Sequence, residues 1–143
     1  MGQKRKIVNV DAEDKAMNAA IAEAKRTLPT FLRAWERPKP NQESFLLKVE
    51  FFGDDDEATP EHIWIADLAY EGDDLVGTVA NEPQTPGLSY LQRVTIEDLE
   101  CVTDWMYIEN GRLVGGFTTR AIRNRLSPKE RAAFEKAVPY RFD

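Results

Sequence analysis

Between Gly111 and Arg123 the chain gathers groups that could hold an anion. Gly111, Gly115 and Gly116 leave backbone without a Cβ, Thr118 and Thr119 supply hydroxyls, and Arg120 and Arg123 supply guanidinium forks. Backbone N–H groups at a helix start would strengthen such a site. The same residues also fit a purely structural role, with the glycines permitting a sharp turn and Thr118 or Thr119 capping the helix that follows. Asp67 and Asp104 are acids inside otherwise apolar stretches. Each could be a paired structural carboxylate, with Arg120 as a candidate partner, or half of an acid–base pair. Trp64, Trp105 and Tyr107 are large rings that either fill a core or anchor a partner. Asp104-Trp105 and Asn110-Gly111-Arg112 fall on one expected hairpin, which makes that edge a candidate contact surface.

Other chemistries have less to stand on. His62 is the only histidine and sits at the start of an expected strand, so packing or a hydrogen bond suits it better than catalysis. Zinc sites need several Cys or His at short spacing, and the chain has one of each, Cys101 and His62. Cys101 among apolar neighbours reads as a small buried filler. Asp54-Asp55-Asp56-Glu57 lacks the alternate-ligand spacing of a calcium loop and reads as a solvated turn. The Gly-x-x-x-x-Gly-Lys-Ser/Thr phosphate loop does not occur. No metal or cofactor is expected.

These residues need elements to position them. Asp11 begins a helix, with carboxylates in the first turn where the helix dipole favours them. Met17, Ile21, Ala24, Leu28, Phe31/Leu32 and Trp35 recur at helical spacing, so one stripe faces the core. Pro29 predicts a kink or a restart, with Thr27 as a possible new cap, and Pro38-Lys39-Pro40 ends the helix. The period then changes to two. Strands are expected over Phe45–Phe52, His62–Tyr70, Leu75–Ala80, Tyr90–Ile96, Leu99–Ile108 and Arg112–Val114. Asn110-Gly111 has the residues that a type I′ turn demands. A short helix over Arg120–Leu126 follows. Ser127-Pro128-Lys129-Glu130 is a capping box that starts a last helix, expected to bury Ala133, Phe134 and Ala137. The expected fold is α+β: a long N-terminal helix packed on a twisted antiparallel sheet or half-barrel of five to six short strands, then two short helices. Residues 1–10 read as a flexible tail and residues 11–143 as one domain.

Composition narrows the function classes. The chain has 143 residues, 42% hydrophobic and 31% charged, which suits one globular domain. Its apolar runs are too short to span a bilayer, and the basic N-terminus lacks the apolar stretch of a secretory signal. Lys6 stands where a myristoylation motif on Gly2 would want Ser or Thr. A cytoplasmic chain without membrane contact is the simplest expectation. The net charge of −6 is segregated. Residues 1–40 carry a net +4, residues 41–111 a net −15 with Lys48 and Arg93 as their only cations, and residues 112–143 a net +5. Basic helices could simply lie on an acidic sheet, or an acidic face could await a basic partner. Nucleic acid would be repelled by the acidic middle.

Several blocks together resemble an uncharacterised bacterial family, the domain of unknown function 2314 family, often labelled YegJ-like. They are Asp14 to Leu32, His62-Ile63-Trp64-Ile65-Ala66-Asp67, Gly77 to Pro83, and Val102 to Arg120. The resemblance spans roughly residues 11–135, and the last block is the most specific. Before Val94 the family tends to have Gly-Asp-Arg where this chain has Leu91-Gln92-Arg93. The resemblance implies a fold and a set of important positions, not a reaction, together with an accessory or toxin-immunity setting. The expected function is therefore a non-catalytic interaction protein, an immunity-type or regulatory partner of a basic protein. The alternative is a small enzyme or anion-binding protein with a carboxylate and arginine site near Asp104 and Arg120. A binding module predicts an acidic flat or grooved surface. An enzyme predicts that Asp104, Thr119 and Arg120 converge on one cavity.

Overall fold

The computed structural model describes residues 11–52 and 60–143. The expected tail over residues 1–10 and the acidic turn carrying Asp54-Asp55-Asp56-Glu57 lie outside the described residues. Helix α1 spans Asp11–Glu36. Ala20, Ala24, Leu28 and Phe31 are its buried stripe, at steps of four, four and three. The helix runs unbroken through Pro29, so the expected restart does not occur. Pro29 stands on the exposed side, so the carbonyl left without its N–H is away from the buried stripe. Thr27 does not cap. Its hydroxyl donates to the Glu23 carbonyl at 2.7 Å and accepts from the Trp105 indole at 3.0 Å.

Among the described residues six strands follow: β1 Gln42–Phe51, β2 Glu61–Glu71, β3 Asp74–Val79, β4 Arg93–Ile96, β5 Val102–Glu109 and β6 Arg112–Gly115. They form one open antiparallel sheet in the order β4-β3-β2-β1-β5-β6. The fourth strand is shorter than expected because Leu91 takes a left-handed φ of 73° and Ser89–Gln92 form a turn. Leu99–Cys101 is a single 3-10 turn rather than strand, since Asp98 caps it by accepting from Glu100 N at 2.9 Å. At the β5–β6 hairpin Asn110 and Gly111 have φ of 53° and 78°, as the turn type requires.

Both faces of the sheet are covered, unequally. On the α1 face Leu47, Val49, Ile63, Ile65 and Val79 pack with Phe31 into one core. Trp105 and Tyr107 join it, and Tyr107 stacks on Phe45 at 4.8 Å. On the other face Met106, Ile108 and Leu113 pack with Leu46, Trp64, Tyr140 and Phe142. Helices α2 (Phe117–Arg125) and α3 (Pro128–Ala137) close the chain. The capping box forms at Ser127 and Glu130. Helix α3 does not bury Ala133 and Ala137, which are exposed, and Phe134 is only half-buried against Phe142. The cover on this face comes instead from the segment after α3. Its Arg141 exchanges backbone hydrogen bonds with Gly111 and Leu113 and so shields the β6 edge.

Candidate functional site

The second face of the sheet carries two features side by side: a buried polar network and an apolar groove. The network starts at Asp104, which is fully buried on β5. It accepts from Trp105 N at 2.8 Å, Phe117 N at 3.0 Å, Thr118 N at 2.9 Å and the Thr118 hydroxyl at 2.5 Å. Helix α2 is thus capped from a neighbouring strand. Neither Thr118 nor Thr119 is its N-cap, as sequence reasoning expected. Gly116 holds that position with φ of 65° and offers no side chain. The double glycine has a steric cause as well. A Cβ on Gly115 would fall 2.5 Å from the Trp105 carbonyl oxygen and ring. The backbone therefore runs directly over the indole, and Asp104 reaches the helix start.

Lys48 completes the network. It pairs across the sheet with Asp104 on one side and Trp64 on the other. Its ammonium donates to the Thr118 hydroxyl at 2.9 Å and lies 5.0 Å from the Trp64 ring centre. Burial pushes its pKa down, and the Asp104 carboxylate opposes that shift in part. Sequence reasoning did not select Lys48 as a site residue. The available signal was a lone cation set among Leu46, Leu47 and Val49.

The groove has a volume of about 660 Å³. Trp64, Ala66, Leu46 and Met106 line it from the sheet, Trp35 and Phe45 from the α1 side, and Thr119 and Tyr140 from the C-terminal segments. Among the described residues that line it, Asp67 is the one carboxylate, and no Lys, Arg, His or Cys contributes. Ser44 and Asp67 also line it, and both hold left-handed φ, 57° and 48°. They sit at register shifts: Glu43/Leu46 in the β1–β5 ladder and Ala66/Ala69 in the β2–β3 ladder. Each shift is a bulge that bends its strand.

The structure separates the residues singled out from sequence into five groups. Trp64 and Thr119 meet at the groove. Asp104 and Thr118 meet beneath it. Trp105 and Tyr107 lie in the α1-side core. Arg120 and Arg123 belong to the C-terminal cover. Arg120 donates to the carbonyls of Leu113, Gly115 and Phe142 at 2.7, 2.9 and 3.0 Å. Burial, with Arg123 nearby, lowers its pKa. Arg123 pairs with Glu135 and lies 4.8 Å from the Phe142 ring centre. Asn110 and Arg112 are exposed at the hairpin tip, where the Asn110 carbonyl accepts from Arg141 at 3.2 Å. Asp104, Thr119 and Arg120 do not converge on one cavity, since only Thr119 lines the groove. Asp104 and Arg120 are not an ion pair. His62 shares a 2.9 Å hydrogen bond with Thr103, and partial burial lowers its pKa.

Comparison with known proteins agrees with this architecture in extent. Residues 14–142 match the family described as "Uncharacterized protein conserved in bacteria (DUF2314)". A "Putative ankyrin repeat protein" of Neisseria meningitidis serogroup B is 31% identical over 92% of this chain and 54% of its own length. The "Uncharacterized protein YegJ" of Escherichia coli K12 is 27% identical over 74% of this chain and 66% of its own length. The chain thus spans about half of the Neisseria relative. No solved structure matches. With nearly all of its length accounted for in this way, the chain belongs to the bacterial DUF2314 family.

Proposed function

We propose that this chain is a non-catalytic binding module that takes part of a basic protein into the groove on the second face of its sheet. The observation that carries the reading is the lining itself. Aromatic and aliphatic side chains form the walls and one exposed carboxylate, Asp67, stands at the lip. Such a site suits an apolar anchor followed by a Lys or Arg. The acidic middle of the chain would draw a basic partner toward it. The partner-regulating role expected from sequence fits this reading. The alternative, an enzyme or anion site at Asp104 and Arg120, has less support. The acceptors of Asp104 and the donors of Arg120 are committed to backbone and to Thr118.

Selection from a random peptide library on the immobilised protein tests the reading. Enriched peptides should carry an aromatic or aliphatic residue beside a cation. Asp67→Asn, which keeps a residue tolerant of left-handed φ, should weaken them about tenfold. Ala66→Phe, which fills the groove, should abolish binding, while Glu97→Lys on the β4–β5 connection should leave it unchanged. No enrichment, or equal binding to both groove variants, would overturn the proposal.

A further inference from the structure

We infer that the groove receives its partner as an extended strand, hydrogen-bonded in the split between β1 and β2. The inference rests on the binding reading above and adds the mode of recognition. Among the described residues, the ladder between β1 and β2 runs from Phe51↔Glu61 to Leu47↔Ile65 and stops there. Both strands continue. β1 extends back to Gln42 and pairs only with β5 over that stretch, while β2 extends on to Glu71 and pairs only with β3. Continuing the register would place Ser44 and Phe45 opposite Leu68 and Asp67, the residues of the two bulges. Two bulges at one level bend neighbouring strands apart, and each extra residue increases the local twist.

The consequence is an internal pair of strand edges facing each other across the groove. Strand edges are templates for another strand, because their N–H and C=O groups lack a ladder partner; of these groups the Asp67 carbonyl is already held by Arg93, which donates to it at 2.6 Å. On the α1 face the split is closed by Trp35, whose ring lies 5.2 Å from that of Tyr70. Tyr70 in turn donates to Glu36 at 2.7 Å, which fixes the plug. An occupant therefore enters from the second face, past Trp64 and Ala66. An extended segment turns alternate side chains to opposite sides. One set would enter the apolar groove and the other would face solvent, where Asp67 meets a cation. The left-handed Ser44 and Asp67 fit this account, since strain held at such sites is commonly tied to recognition.

Backbone N-methylation of the best peptide from the selection tests the inference. Methylating any amide of the docked stretch should weaken binding about tenfold or more, because a strand between two edges turns its amides alternately to β1 and to β2, while amides outside that stretch tolerate it. Bound peptide should also slow hydrogen exchange at residues 43–46 and 67–70. Tolerance at every amide, or sensitivity with a period of three to four, would overturn strand docking while the groove reading stood. A peptide that binds equally to the Ala66→Phe variant would instead remove the groove reading itself. Self-association of the protein that Ala66→Phe abolishes would make a second copy the occupant and overturn the inferred partner.

Discussion

The two faces of β1 are built for different purposes. Leu47 and Val49 point into the core beneath α1, among aliphatic and aromatic side chains. Leu46 and Lys48, one residue out of phase, meet a face that carries a charged network at one end and an open groove at the other. One strand thus packs the core with Leu47 and Val49 and turns Leu46 and Lys48 to the groove and the network. The difference teaches where tolerance lies. The α1 face should resist change because of volume, the network because of hydrogen bonding, and the groove should accept change in stability while losing its ligand.

The largest effect should come from the closed face. Phe31→Ala removes a fully buried ring and should cost about 3–5 kcal/mol in denaturant unfolding. Trp64→Ala on the half-buried groove wall should cost about 1 kcal/mol. Equal costs would break the contrast between the faces. Asp104→Ala comes next, at about 3 kcal/mol. It strands two amides and a hydroxyl at the start of α2 and leaves the Lys48 charge without its counter-ion. Loss of protection confined to α2 in hydrogen exchange would mark the cap as the cause.

Two smaller effects depend on pH. Lys48 has a folded pKa below its ordinary value near 10.5, so burial of its charge opposes folding at neutral pH. As pH rises through the folded pKa toward 10.5 that penalty is relieved. The stability gap between Lys48→Met and the parent protein should therefore shrink over that window. A constant gap would show that the ammonium is not the cause. His62 gives the smallest effect. Its folded pKa lies below 6.5, so the stability it contributes is present above pH 6.5 and is lost as pH falls through the folded value. His62→Gln should flatten that slope in a melting series.

Much of this was legible in the chain because its cause is local. The α1 stripe, the Asn110-Gly111 turn and the capping box at Ser127 are each set by residues within a few positions of one another. Trp105 and Tyr107 were less plain: by type they suit a core or a contact surface, and the fold buries both. Pro29 misled because its exposed setting, which tolerates the lost hydrogen bond, is a tertiary fact. The cap of α2 misled for the same reason. Thr118 is a good capping residue by type, yet Asp104, thirteen positions away from Phe117, takes the helix amides. The groove was least visible. It depends on bulges at Ser44 and Asp67, and neither residue announces a left-handed backbone as glycine would.

The central claim is that the open part of the second face, not the closed core or the arginine-rich edge, is where this protein meets its partner. Amide and indole NMR shifts of the labelled protein, titrated with a peptide from the selection, test it most directly. The account predicts the largest changes at Leu46, the Trp64 indole, Asp67 and Thr119, with α1 residues such as Ala24 unmoved. Changes centred on Asn110, Arg112 and Arg141, with Trp64 silent, would contradict it.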